Sequence, residues 1–191
     1  MDIILMAKSI IIKPLTAEAF AEFGDVIEAH EGDGFGINQG FTWRHHKLAK
    51  VHTDQPTDEA IISIFSSKNR PAPIAINMME RHPLGSQAFM PLNTTPFLVV
   101  VAKAGPEPKL ADLCAFVSNG KQGVNYGTGV WHHPLLILAK EQNFLVIDRS
   151  GEGNNLNEVM FGEDQCGQLD VDELINHLAD NLTNNTTNNL T

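Results

Sequence analysis

Short apolar runs cut by turn residues dominate this chain from residue 60 to residue 149. The runs fall at 60–65, 74–82, 87–91, 96–102, 115–118, 124–126, 130–138 and 143–149. Between them stand Pro71-Ala72-Pro73, Pro83-Leu84-Gly85, Gly105-Pro106 and Asn119-Gly120, residues that bend a backbone rather than continue it. Further strands are expected at Ser9–Lys13, 25–28 and 42–52. Helical spacing occurs in only two places. Thr16 caps a short helix over Ala17–Phe23 that Gly24 can close, and Asp170 caps a helix to Asp180 with Val171, Leu174, Ile175 and Leu178 on one face. Such a pattern excludes a helical bundle and a doubly wound sheet. It predicts a mainly β fold, an antiparallel barrel or sandwich with a few short helices.

One domain accounts for the 191 residues. The reading is a single catalytic domain over 1–165, a C-terminal helix segment over 166–180, and a tail over 181–191. The Asn/Thr-rich tail predicts disorder, because it offers too little apolar surface to offset its ordering entropy. The glycines of Gly32-Asp33-Gly34-Phe35-Gly36 lack the spacing and the following helix of a phosphate cradle, so a mobile loop is expected there.

Charge removes several classes of function. With 23 acidic against 13 basic residues, a net charge of −10 argues against nucleic acid, and an anionic substrate would need a locally positive pocket. No apolar run approaches the roughly 18 residues of a membrane span, and the first residues, without a basic n-region or a full apolar region, read as a poor secretion signal. A cytoplasmic protein with Cys114 and Cys166 as reduced thiols is expected.

Two polar islands interrupt the apolar runs. The first is Glu80-Arg81-His82-Pro83-Leu84-Gly85-Ser86-Gln87, at the end of an apolar stretch beginning at Ile74. Strict alternation from Ile74 puts Ile76, Met78, Glu80 and His82 on one face and Arg81 on the other, with Gln87 returning to the first face after the turn. A carboxylate ending an inward row needs a partner or a cation. The second island is Asn125 to Pro134, in which adjacent His132 and His133 cannot both point inward from a strand. Alternation places His132 inside with Val130, and His133 outside with Trp131. Tyr126 reads as core packing. In the strand ending at residue 149, Asp148 and Arg149 point oppositely, and the sequence leaves open which one enters the interior.

Together the islands resemble the paired metal motifs of the cupin superfamily. Glu80-x-His82, four residues, then Gln87 keeps the spacing of the first motif with two ligand types changed. Gly127-x-Gly129-x-x-His132 keeps the second. The stretches "ERHPLGSQAFMPL", "SNGKQGVNYGTGVWHHPL" and "FLVIDRSGEGNN" resemble the ureidoglycolate lyase family, which splits (S)-ureidoglycolate into glyoxylate and urea during allantoin breakdown. That resemblance runs from about residue 10 to 160. It implies a cupin-like barrel, a homodimer and a divalent metal, nickel being the one usually named.

The metal face implied is His82, Gln87 and His132, with Glu80 as fourth ligand or as base; Glu80, His82 and His132 are the candidate catalytic residues. A mixed N/O set suits nickel, manganese or iron. The neutral Gln87 amide implies weaker binding than a Glu would give, consistent with a centre that empties on purification. Arg149 and Arg44 are the candidates for the substrate carboxylate, because a guanidinium binds it bidentately, and Asn38 and Asn125 are candidate hydrogen-bond donors. Two other classes stay open at this point: another metal-dependent cupin enzyme, such as a dioxygenase or sugar isomerase, and a non-catalytic module that binds a small acid.

Overall fold

Strand Phe97–Ala102 is apolar and buried at every position, so it must have a core on both sides. A computed structural model describing residues 8–162, 166–169 and 171 shows both cores. The strand lies within a first sheet ordered Asn157–Met160, Met78–Arg81, Trp131–His132, Phe97–Ala102, Cys114–Val117 and Ile12–Pro14, with Leu136–Ile137 also paired to Phe97–Ala102. A second sheet runs Gly24–Ile27, Gly123–Tyr126, Gln87–Pro91, Glu141–Ser150 and Glu59–Lys68. Phe97, Val99 and Val101 meet Phe89, Val124, Tyr126, Phe144 and Val146 of the second sheet in the inner core. Leu98, Val100 and Ala102 pack on the other side with Trp131, Met79, Ile74, Ile76 and Leu169. A small third sheet, with Ile74–Ile76 at one edge, closes that outer core.

The mainly β reading holds, as a cupin-like sandwich of sheets with few short helices. Most ladders are antiparallel, but Ile12–Pro14 runs parallel to Cys114–Val117, and Lys8–Ser9 runs parallel to Gly167–Leu169. The helix is shorter than expected. It spans Ala17–Phe20, with the Thr16 hydroxyl accepting from the Ala19 N–H, and a turn carries the chain to Phe23. The continuous strand expected over 42–52 is only Thr42–Arg44, since Lys47 has φ of 58° and leaves the extended region. The glycine-rich stretch is not simply a loop, because Phe35–Ile37 forms a two-stranded ladder with Thr42–Arg44. Gly167–Leu169, assigned to the C-terminal helix, instead pairs with Ile74–Ile76. Residues 172–180 of that helix and the 181–191 tail lie outside the described residues.

One correction bears on the site. The 74–82 run is two strands, Ile74–Ile76 and Met78–Arg81, separated at Asn77 where the chain passes from the third sheet to the first. The Asn77 carbonyl accepts the Phe161 N–H at 2.8 Å. Crossing between layers reverses which parity meets the outer core, so Ile74, Ile76 and Met79 share it rather than Ile74, Ile76 and Met78. Glu80 therefore still faces the inner side, for a different reason than an unbroken alternation.

Candidate active site

Glu80 and His132 stand directly opposite in adjacent antiparallel strands. Cross-strand partners project from the same face, and here a Glu80 carboxylate oxygen lies 3.5 Å from His132 Nε2. His82 follows two residues after Glu80, and its ring centroid is 5.2 Å from that of His132. Gly129 fixes the approach of the two islands. Its N–H donates to the His82 carbonyl at 2.9 Å while its φ of +73° lies where a side chain is strained, giving the glycine of the second motif a physical reason. The ligand atoms of Glu80, His82 and His132 all lie within 4.8 Å of one another.

Both imidazoles are held by their far nitrogens. His82 Nδ1 donates to the Asn155 carbonyl at 2.7 Å, and His132 Nδ1 to the Val130 carbonyl at 3.1 Å. Each neutral ring then presents an Nε2 lone pair to the centre, the tautomer that a metal ligand requires. His132 is only 2% exposed, and its Nε2 is buried without a hydrogen-bond partner among the described residues. At His82, Nε2 faces Gln87 Oε1 at 3.1 Å. Two acceptors at that distance require a cation between them or a half-turn of the amide. The donor set, two nitrogens and one carboxylate with the Gln87 oxygen beside them, thus fits a divalent cation.

Electrostatics agree with this arrangement. Burial pushes the Glu80 carboxyl up, but the His132 imidazole 3.5 Å away and the other nearby imidazoles outweigh it, and the group stays below its usual range. Tyr126 stacks on His132 at 4.3 Å and 11°; burial and the Glu80 charge raise its phenol above the normal value, so it remains protonated. His133 was expected on the outer face with Trp131, and it is as buried as His132. Its Nδ1 donates to the Pro134 carbonyl, and burial lowers its pKa to about 4, which leaves it neutral.

The other expected residues are not brought to this centre. Arg149 lines a neighbouring cleft of about 270 Å³ with His82 and Gln87, but its guanidinium is already committed. It makes a bidentate pair with Asp58, at 2.7 Å for one arm, and also donates to the Glu152 carbonyl. Gly85 allows the approach, since a Cβ there would sit 2.8 Å from Arg149 Cβ. Asn125 projects opposite to Val124 and Tyr126, where its amide donates to Asp25 and to the Lys50 carbonyl. Asn38 bonds Thr42 within the exposed hairpin, and Arg44 is exposed on the same hairpin. Sequence reasoning missed Asn155, which anchors His82 through its carbonyl and receives the Leu84 N–H on its side chain at 2.8 Å. It also missed Asp58, for which the sequence holds no signal.

Comparison with known proteins agrees with the geometry. A family model described as ureidoglycolate lyase matches residues 7–167. A ureidoglycolate lyase of Pseudomonas syringae pv. syringae (strain B728a) is 59% identical over 85% of this chain and 96% of its own length. One of Stutzerimonas stutzeri (strain A1501) is 56% identical over 87% of this chain and 98% of its own length.

Proposed function

The chain belongs to the ureidoglycolate lyase family, and from that premise we propose that it cleaves (S)-ureidoglycolate to glyoxylate and urea at the Glu80, His82 and His132 centre. The reaction is a carbon–nitrogen lyase step of allantoin, hence purine, degradation. The observation that carries the site assignment is the convergence of two imidazole Nε2 atoms and one carboxylate, each imidazole held by its other nitrogen.

Ureidoglycolate is a hemiaminal, with hydroxyl, carboxylate and urea nitrogen on one carbon. Cleavage moves the hydroxyl proton away, turns the O–H electrons into a carbonyl, breaks the C–N bond and returns a proton to the departing nitrogen. A divalent cation, nickel being the family's usual one, supplies Lewis acidity toward the hydroxyl when bound. His82, His132 and Glu80 would hold it, with Gln87 as a neutral fourth contact. Glu80 is ionised at neutral pH, and its carboxylate is the group we assign to take the hydroxyl proton and pass it to the nitrogen. Tyr126 fixes the His132 ring by stacking, and Asn155 fixes His82. No nucleophile is needed.

Two further readings belong to this proposal. Homodimerisation is supported by the edge strand Glu59–Lys68, which exposes Ile62 at 71% and Ile64 at 55% beside unpaired backbone. A cytoplasmic location is supported by the two free cysteines. No helix among the described residues is long and apolar enough to cross a membrane.

The test is release of urea and glyoxylate from (S)-ureidoglycolate, before and after chelation and after re-addition of nickel or manganese. Turnover that chelation removes and a divalent cation restores is expected. Glyoxylate binding without turnover would make the protein a binding module instead. Turnover indifferent to exhaustive chelation would leave the lyase and remove the metal.

A further inference from the structure

Among the buried groups that the lyase reading leaves unused is a carboxylate, Asp148. Along strand Glu141–Ser150 the inner row is Phe144 and Val146, both in the inner core, and Asp148 is the next residue on that face. Val146 pairs with Phe89, so Asp148 stands one step further along, on the side from which Gln87 projects. Asp148 and Gln87 line the same cleft with His82, Ser86, Asn154 and Asn155. Asp148 Oδ1 is buried with no hydrogen-bond partner among the described residues. Its neighbour Arg149 leaves the strand on the opposite face and reaches the rim of the same cleft, but its guanidinium is committed to Asp58 and the Glu152 carbonyl and makes no hydrogen bond to Asp148. A carboxylate oxygen left bare in a cleft is costly unless a donor arrives from outside the chain.

We propose that Asp148 recognises the ureido end of the substrate and thereby sets its orientation in the cleft. The inference rests on the lyase reading and adds a specificity-determining residue to it. Ureidoglycolate has two chemically opposite ends. Its carboxylate and hydroxyl offer oxygens, which suit the cation-binding face of Glu80, His82 and His132. Its ureido group offers N–H donors on two nitrogens of one plane, which match a carboxylate as the parallel donors of a guanidinium do. A substrate entering the other way round would set its own carboxylate against Asp148 and lose both interactions. Holding the leaving urea by its donors also leaves the departing nitrogen facing the centre where the proton is handled.

Two inhibitors separate the ends. Ureidoacetate keeps the ureido and carboxylate groups without the hydroxyl, and glycolate keeps hydroxyl and carboxylate without the ureido group. In Asp148→Asn, the KM for (S)-ureidoglycolate and the inhibition constant of ureidoacetate should rise roughly 10- to 150-fold, as expected for loss of a charge-assisted hydrogen bond. Inhibition by glycolate should stay near the wild-type value. Equal weakening of both inhibitors, or of neither, overturns the assignment. Should the variant fail to fold, the wild type decides: ureidoacetate dimethylated on its terminal nitrogen should bind at least tenfold more weakly than ureidoacetate, and equal binding overturns the proposal. Wild-type turnover is measured first, because its absence removes the lyase reading, whereas turnover with unselective Asp148→Asn removes only this residue's role.

Discussion

At three places adjacent residues part to opposite faces of the sheets, and the two faces end differently. Glu80, His132 and Asp148 point to the inner side; Arg81, Trp131 and Arg149 point away from it. Every outward member is closed. Arg81 lies over the Trp131 ring at 4.5 Å and donates to the Gly105 carbonyl at 2.6 Å and to Asn157. The Trp131 indole donates to the Pro106 carbonyl at 3.0 Å, and Arg149 is locked to Asp58. The inward members include two orphaned atoms, His132 Nε2 and Asp148 Oδ1. Both faces bury polar groups in an apolar setting, so burial does not distinguish them. Among these six residues unfilled hydrogen-bonding capacity does, and such an atom in a native fold calls for an explanation, a bound ligand or ion being one.

The largest expected effect breaks the inner side of this contrast. His132→Ala should lower turnover by about 10²–10⁴-fold, the range for losing a placed proton-transfer or ligand group, and should lower bound metal while thermal unfolding changes little. Urea release, metal analysis and calorimetry read the three. Equal turnover and metal content in variant and wild type would sink the inward assignment.

Trp131→Ala is the opposite experiment one residue away. It should destabilise by about 3–5 kcal/mol, as expected for truncating a large buried aromatic, while the folded fraction keeps kcat within a fewfold of wild type. Denaturant titration against activity separates these. A Trp131 variant that is stable yet inactive would mean that the outer face is not only architectural.

His133 sharpens the contrast because it fits neither side cleanly: it is outward by alternation, yet its Nε2 is also unpartnered. His133→Ala should cost about 1–3 kcal/mol and leave metal content intact. Loss of metal in this variant, with His132→Ala unaffected, would reverse the register of the strand.

The smallest effect concerns Asp58. The Arg149 hydrogen bond, opposed by burial and helped by backbone donors, holds its carboxyl below the ordinary 3.8. A depressed carboxylate contributes stability that is present above the unfolded-state value and is lost as pH falls through the lower folded value. Asp58→Asn should therefore be less stable than wild type at neutral pH and converge with it in acid, with little change in KM. A KM that rises as steeply as for Asp148→Asn would return Arg149 to substrate binding.

The β class and the spacing of both islands were legible because they rest on period-two patterning and on turn chemistry, which are local. His132 inside and Trp131 outside followed from the same alternation. Arg149 was ambiguous for a physical reason. Alternation says that Asp148 and Arg149 diverge, but only the partner sheet decides which direction is inward, and Asp58, distant in sequence, supplies the counter-ion that settles where the guanidinium rests. Asn155 was hidden differently, since it acts on His82 through a backbone carbonyl that every residue possesses. The exposed candidates Asn38 and Arg44 show the converse, being residue types suited to a site but carried by a hairpin that lies away from the cleft lining.

The corner at Asn77 carries a consequence for how this fold tolerates change in length. It acts as a phase shift between two stretches of strand, each with its own assignment of faces. Deleting a single residue there would leave every side chain chemically intact and slide the register by one, turning Arg81 toward the inner cavity and Glu80 and His82 toward Leu98 and Trp131. Substitution at Asn77 is comparatively mild, because the contact it makes to Phe161 uses its main-chain carbonyl. Identity at this position is therefore loosely constrained, while the count of residues between Ile76 and Glu80 is not free to vary.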